Sequence, residues 1–169
     1  MQISRYLDPE LIKLEMDTSF ATDEEETEDE LTPKRRFERK ETLLSEFVRL
    51  LDQSGKICNP SKLLTDLVNR ERKATTAIGR GIAIPHVRTM QARELVIGIC
   101  RSTDGYDFES TDDEPVHLFV PMAAPPYDDN LYLRVFKALA EVFRLDGIVD
   151  RVMQAEAPYD IIRIFQEFE

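Results

Sequence analysis

Segments with helical periodicity alternate with short apolar segments along this chain of 169 residues. After Glu41, and again after the Asn59-Pro60 pair, leucine, valine and phenylalanine recur three or four residues apart, which is typical of amphipathic helices. The apolar runs at 82–85, 94–102 and 116–123 are shorter and are typical of buried strands. Because helices and strands interleave, we predict an α/β fold in which one sheet carries helices on its faces.

Local signals place the other elements. The first helix is predicted from Glu41 to Gly55, and the second opens at Asn59, a good N-cap followed by proline. The remaining predictions are a strand at 11–16, a loop at 74–81, a long helix from Asp128 or Asp129 to about Asp146 that Gly147 ends, and short helices near 148–155 and 158–168.

A highly charged stretch separates the first predicted strand from the first predicted helix. Residues 23–30 are Asp-Glu-Glu-Glu-Thr-Glu-Asp-Glu, and five basic residues follow between 34 and 40. A stretch of this composition cannot bury apolar surface, so we predict a disordered insertion at about 18–39 within a single domain that spans residues 1–169. A solvated insertion is the simpler interpretation, and a docking arm is the alternative.

Composition excludes several classes of protein. A net charge of −11 argues against binding to nucleic acid or to an anionic membrane, because both require a basic surface. We find no signal peptide and no apolar segment of the roughly 20 residues that span a bilayer, so we expect a cytoplasmic location and no membrane insertion. Cys58 and Cys100 lack metal-ligand spacing, and we expect them to be reduced.

The segment Gly79-Arg80-Gly81-Ile82-Ala83-Ile84-Pro85-His86 contains one of the chain's two histidines. Imidazole is well suited to accept and release a group near neutral pH. The two glycines permit close backbone approach, and Pro85 restricts the chain just before the ring. We interpret His86 as a nucleophile that carries a phosphoryl group; the alternative is a buried histidine at the end of a strand.

The chain resembles the enzyme IIA domains of the bacterial phosphotransferase system, of the mannitol, fructose and nitrogen-regulatory type. Arg70-Glu71, then Thr75-Thr76-Ala77-Ile78-Gly79, then Gly81 to His86 match the signature of that family in order and spacing. The segment Asp112 to Leu118 resembles the family's second signature segment, and the first twelve residues resemble the start of the nitrogen-regulatory branch.

The resemblance implies a mixed, roughly five-stranded sheet between helices and no metal or organic cofactor. It also implies that His86 accepts a phosphoryl group from a histidine-containing phosphocarrier protein and then passes it to a downstream protein or holds it as a regulatory mark. Arg70 is the candidate for phosphoryl stabilisation, because a planar guanidinium fits phosphate oxygens. Thr76 is a candidate hydroxyl donor, and one ring nitrogen of His86 should donate to a carbonyl or carboxylate that fixes the tautomer.

One position departs from the family pattern. Enzyme IIA domains of this type carry a second active-site histidine near the start of the long helix, and alignment without gaps from Val116 places Tyr132 there. A tyrosine can donate a hydrogen bond to phosphate but cannot become a cation near neutral pH. The other histidine, His117, lies in a predicted strand, where we expect a structural or surface role.

Two function hypotheses therefore remain. The first is a phosphocarrier, nitrogen-regulatory rather than sugar-transporting, that works by phosphorylation of His86. The second is an interaction module that resembles enzyme IIA, has lost phosphoryl transfer and regulates an unidentified protein partner. A serine or cysteine hydrolase is disfavoured because the chain shows no nucleophile-elbow pattern and no histidine partner for either cysteine, and a zinc site is disfavoured because there is no ligand cluster.

Overall fold

Two β-sheets, each with parallel and antiparallel neighbours, form the centre of the protein in a computed structural model that describes residues 1–20 and 31–169. The five-stranded sheet has the order β1-β6-β7-β3-β2, formed by Ile12–Lys13, Ile99–Tyr106, Val116–Phe119, Ile82–Ala83 and Ala77–Gly79. The three-stranded sheet has the order β4-β8-β5, formed by His86–Arg88, Met122–Ala124 and Val96–Ile97.

Five α-helices cover these sheets within the described residues. They are α1 (Pro33–Asp52), α2 (Pro60–Lys73), α3 (Asp129–Val142), α4 (Ile148–Gln154) and α5 (Pro158–Phe168). The predicted α/β class, with a mixed five-stranded sheet, is confirmed. No helix in the described part of the chain is both long enough and apolar enough to cross a bilayer.

The core lies on both faces of the sheets, because successive strand residues point in opposite directions. Leu118 and Val120 pack with residues of α3, α4 and α5, whereas Phe119 between them packs with residues of α1. A further cluster joins α1 and α2 to the strands β5 and β8. The predicted placement of helices on both faces is therefore confirmed.

The prediction of one sheet missed the three-stranded sheet. The segments 94–102 and 116–123 were each predicted as one strand, but Gly98 divides the first into β5 and β6, and Pro121 divides the second into β7 and β8. A proline has no backbone N–H for the ladder. A Cβ atom on Gly98 would lie 2.9 Å from Leu50 Cδ2, so a larger residue here would force the Leu50 side chain of α1 to shift.

The predicted insertion is wrong at both ends. Helix α1 begins at Pro33 rather than Glu41, capped by the Thr32 hydroxyl, which accepts from Arg35 N at 3.2 Å. At the other end, the backbone N–H of Thr18 donates to Glu46 at 2.8 Å. Only residues 21–30 of the predicted loop lie outside the described residues.

Two smaller predictions also need correction. The predicted loop at 74–81 contains β2, which pairs with β3 as a hairpin. The long helix ends at Val142, and Gly147, with φ of 85°, precedes α4 instead of ending α3. The segment 11–16 contributes only the two-residue strand β1.

Candidate functional site

His86 opens strand β4, directly after Pro85, and its ring is half-buried. Its Nδ1 atom lies 2.5 Å from the carbonyl oxygen of Ile84. A carbonyl oxygen can only accept a hydrogen bond, so Nδ1 carries the proton and Nε2 holds the free lone pair. The prediction that a carbonyl or carboxylate orients the ring is confirmed, and the structure identifies this partner as Ile84.

Two aromatic side chains of α3 pack against the imidazole of His86. Tyr132 and Phe136 are four residues apart and therefore lie on one face of the helix. Their ring centroids are 5.9 Å and 4.7 Å from the centroid of the His86 ring. The gapless alignment therefore identified a residue whose ring lies beside that of His86.

Burial sets the protonation state of His86. Removal from solvent lowers the pKa of His86 below its ordinary value, and the charge of Arg70 lowers it further. The hydrogen bond to Ile84 and the charge of Glu71 oppose this shift. Because burial is the largest of these effects, the ring is neutral near pH 7, which is the nucleophilic form.

A basic groove of about 640 Å³ adjoins His86, since the next two residues, Val87 and Arg88, both line it. Three cationic side chains, from Arg70, Lys73 and Arg88, share the groove with the carboxylate of Asp66. The whole chain carries a net charge of −11, so a groove with three cations and one anion differs sharply from the average surface. Such a local excess of positive charge attracts anionic groups.

Arg70 lies in the last turn of α2, where its Nη1 donates to the carbonyl of Ala74 at 3.1 Å. It is close enough for its charge to lower the pKa values of both His86 and Tyr132. Arg70 and Tyr132 also line the same groove. The structure therefore brings together three of the four site residues predicted from sequence.

Thr76, the fourth predicted site residue, does not fit its predicted role as a hydroxyl donor. Its side chain is buried, and its hydroxyl donates to Glu71 Oε2 at 2.7 Å while its backbone N–H donates to Glu71 Oε1 at 2.8 Å. A hydroxyl has only one proton to donate, and this one is bound to a buried carboxylate. We therefore assign Thr76 a structural role in place of the predicted donor role.

Glu71 belongs to a buried ionic cluster that sequence reasoning missed. Its Oε1 lies 2.7 Å from Lys40 Nζ, and neither side chain is exposed by more than about 1%. Lys40 also contacts Glu109 Oε2 and Thr75 Oγ1, each at 3.3 Å. The cluster joins α1, α2 and the start of the β2–β3 hairpin, and thus fixes the helix end that carries Arg70.

His117 lies in β7, as predicted, and its Nδ1 is 3.0 Å from the carbonyl oxygen of Ser102. Its ring fits over Gly105, where a Cβ atom would approach the His117 Cε1 to 2.7 Å. These contacts agree with a structural role. Asp112, in the second signature segment, accepts from the backbone N–H of Arg80 at 2.9 Å and so holds the tip of the β2–β3 hairpin.

Sequence reasoning missed Arg88 and Phe136. Both had a signal in the chain, because Arg88 is two residues after His86 on a strand and Phe136 is four residues after Tyr132 on a helix. Asp128 is the N-cap residue of α3, but its side chain makes no capping hydrogen bond.

Comparison with known proteins decides the family. Residues 26–168 match the family described as the phosphoenolpyruvate-dependent sugar phosphotransferase system, EIIA 2. The chain belongs to this family. It is thus an EIIA-type protein of the phosphotransferase system.

Curated relatives of this EIIA-type protein include both sugar-specific and regulatory proteins. It is 34% identical over 130 residues to the fructose-specific EIIABC component of Bacillus subtilis, a match that covers 77% of this chain but only 20% of that protein. It is 26% identical over 126 residues to the nitrogen regulatory protein of Pseudomonas aeruginosa, a match that covers 73% of this chain and 82% of that protein. The chain therefore spans only a fifth of the Bacillus protein.

Solved structures agree on the fold of this EIIA-type protein. The nitrogen regulatory protein IIA-Ntr from Neisseria meningitidis superposes with a TM-score of 0.78 at 22% identity and covers 98% of this chain and 99% of its own. The IIA mannitol structure from Escherichia coli gives a TM-score of 0.71 at 17% identity, and the match covers 94% of this chain and 98% of that structure's chain. At these identities the likeness shows the fold alone.

Proposed function

We propose that this EIIA-type protein is a phosphocarrier in which His86 Nε2 accepts a phosphoryl group from a histidine-phosphorylated carrier protein. The observation that carries the proposal is the hydrogen bond from His86 Nδ1 to the Ile84 carbonyl, because it leaves the lone pair on Nε2. The neutral ring and the adjoining basic groove support the same conclusion.

The transfer is an exchange of nitrogen–phosphorus bonds. The Nε2 lone pair of His86 forms the new bond to phosphorus, and the bond to the donor imidazole breaks with its electron pair retained by the donor nitrogen. The His86 ring gains positive charge in this step, and the Ile84 carbonyl dipole stabilises that charge through the Nδ1–H bond. Positioning and charge stabilisation supply most of the catalysis in such transfers.

The guanidinium of Arg70 fits the role of phosphoryl stabilisation. It is planar, permanently charged and already oriented at the end of α2 by its bond to the Ala74 carbonyl. Tyr132 contributes a neutral hydroxyl beside the ring, because burial raises its pKa. Lys73 adds a third positive charge at the rim of the groove.

A regulatory role is the function that we favour for the phosphorylated form. A phosphoryl group adds negative charge at an exposed groove and thereby changes which protein surface fits there. The similarity to the nitrogen regulatory protein of Pseudomonas aeruginosa, which the match covers over 82% of its length, supports this choice. The chain's location in the cytoplasm, where such carriers work, is part of the same proposal.

Two phosphoryl donors test the proposal. The purified protein is incubated with phosphoenolpyruvate, enzyme I and the carrier in one reaction, and with potassium phosphoramidate in another. We expect one acid-labile phosphate per chain in both reactions, with a ³¹P shift characteristic of Nε2-phosphohistidine. Phosphorylation by phosphoramidate alone would contradict the carrier as donor, and no phosphorylation in either reaction would contradict the whole proposal.

Two variants identify the acceptor. His86→Gln should abolish phosphorylation, whereas His117→Gln should leave it unchanged, because the two histidines occupy different strands and bind different carbonyl oxygens, those of Ile84 and Ser102. Equal phosphorylation of His86→Gln would exclude this assignment. A stable protein partner captured equally by His86→Gln and by the unphosphorylated protein, without any phosphorylation of the latter, would favour the non-transferring interaction module.

A further inference from the structure

Arg88 is the cation whose role remains to be explained. It lies two residues after His86 on β4, so both side chains leave the strand on the same face. Its Cζ atom is 5.3 Å from the centroid of the Tyr132 ring, in a cation–π arrangement. The Tyr132 ring therefore contacts both the imidazole of His86 and the guanidinium of Arg88.

The contact with the Tyr132 ring orients the guanidinium of Arg88. The Tyr132 ring is only 7% exposed and is held by the core cluster around α3, so it forms a rigid platform. Arg88 itself is exposed and lines the basic groove together with Arg70 of α2. Two guanidinium groups from different elements thus line the groove that adjoins His86.

We propose that Arg88, held against the Tyr132 ring, binds the phosphoryl group carried by His86. This inference rests on the proposed function. A guanidinium has five N–H donors, so Arg88 can bind phosphoryl oxygens and retain its other contacts. In this chain, the pair of a tyrosine platform and an arginine supplies the positive charge that Tyr132 alone cannot provide.

The proposal assigns different roles to the aromatic ring and to the hydroxyl of Tyr132. The guanidinium of Arg88 lies over the aromatic ring, so the proposal assigns its orientation to the ring and not to the hydroxyl. Tyr132→Phe should therefore retain most of the stabilisation of the phosphoryl group, while Tyr132→Leu, which removes the π system, should lose as much as removal of the arginine.

The experiment measures the lifetime and the titration of the phosphoryl group. Wild-type protein, Arg88→Gln, Arg88→Lys and the control Arg93→Gln are phosphorylated with phosphoramidate, which removes any effect on carrier docking. Arg93 is an exposed arginine of the same region that does not line the groove. Hydrolysis of the phosphohistidine and the pH dependence of its ³¹P shift are then followed.

We expect the half-life of the phosphorylated form to fall by about tenfold in Arg88→Gln, with partial restoration in Arg88→Lys, since one charge-assisted interaction is lost. The pKa of the phosphoryl group should rise in Arg88→Gln, because a nearby cation no longer favours its dianion. Arg93→Gln should match the wild type in both measurements. A purely structural role for Arg88 would not shift that titration.

Failure of this inference differs from failure of the proposed function. If the wild type is phosphorylated and Arg88→Gln shows the same half-life and the same ³¹P titration, the role of Arg88 is overturned while His86 remains the acceptor. If the wild type is not phosphorylated, the proposed function falls and the inference falls with it. Thermal unfolding of each variant identifies any loss of fold.

Discussion

The centroid of the Tyr132 ring lies 5.9 Å from that of the His86 ring, and the two ring planes are inclined by 45°. Burial raises the pKa of Tyr132, although the charges of Arg88 and Arg70 oppose the shift. The immediate neighbour of the proposed phosphoryl acceptor is therefore a neutral phenol near pH 7. The nearby positive charge comes from arginines that do not titrate in this range.

Tyr132→His should introduce a pH dependence that the wild type lacks. Below about pH 6.5 the new imidazole is protonated, and it should then stabilise an incoming phosphoryl group. We expect the ratio of variant to wild-type phosphorylation rates to rise as the pH falls from 8 to 6. Tyr159→His, at an exposed position of α5, is the matched control. A constant rate ratio would show that this position does not face the phosphoryl group.

The pKa of His86 should lie below the ordinary imidazole value of about 6.5, because burial and Arg70 lower it. The unfolded chain then binds this proton more readily than the folded one, so His86 should reduce the free energy of unfolding as the pH falls through about 6.5. Below the folded pKa the effect should level off.

An NMR titration measures the pKa of His86, and the variant His117→Gln assigns the two histidine signals. Phe136→Leu should raise the pKa of His86, since less of the ring is then removed from water. Arg70→Gln should raise it too, because a positive neighbour is removed. A folded pKa at or above the ordinary value would contradict the burial of the ring.

Lys40→Met should destabilise the protein by about 3–5 kcal/mol, because it leaves the buried carboxylate of Glu71 without its cation. Urea unfolding followed by circular dichroism measures the change. The control is Lys137→Met, since Lys137 pairs with Glu141 across 4.0 Å on the surface of α3 and its loss should cost less than about 1 kcal/mol. Adding Glu71→Gln to Lys40→Met should recover part of the stability; no recovery would show that the unpaired charge is not the cause.

Arg101→Lys should cost about 1–3 kcal/mol, although it preserves the charge. The Nη1 atom of Arg101 donates to three carbonyl oxygens at the end of α4, those of Val152, Met153 and Ala155. Its Nε donates to Leu14 O at 3.0 Å. A lysine cannot reproduce this planar fork. Arg163→Lys, on the surface of α5, should leave the urea midpoint unchanged, and equal midpoints for both variants would contradict the argument.

Periodicity was enough to predict the α/β class, because apolar residues spaced for helices and strands determine which faces are buried. It did not predict that Gly98 and Pro121 divide two strands, because the apolar residues continue on both sides of each. Periodicity also gave no sign that Lys40, between the predicted insertion at about 18–39 and the helix predicted from Glu41, is buried. A lysine is rarely buried without a partner, and its partner Glu71 lies 31 positions along the chain.

The candidate site was predicted only in part, because some of its contacts also join residues that are far apart in the sequence. A short motif located His86, and alignment located Arg70 and Tyr132. The hydroxyl of Thr76 could not be assigned from sequence, because its acceptor depends on how the β2–β3 hairpin folds back onto Glu71. Arg88 was missed because its relation to Tyr132 exists only once α3 packs over β4.

The two sheets are connected at three adjacent places, where the chain passes from β3 to β4, from β5 to β6 and from β7 to β8. Backbone hydrogen bonds lie across these passages, from Val120 N to Ala83 O, from Met122 N to Pro85 O and from Gly98 N to Pro121 O, at 2.8 to 2.9 Å. Three short passages with backbone hydrogen bonds hold the two sheets together. We therefore expect the strand that carries His86 to move with the five-stranded sheet, so that an incoming protein meets a preformed backbone at this strand.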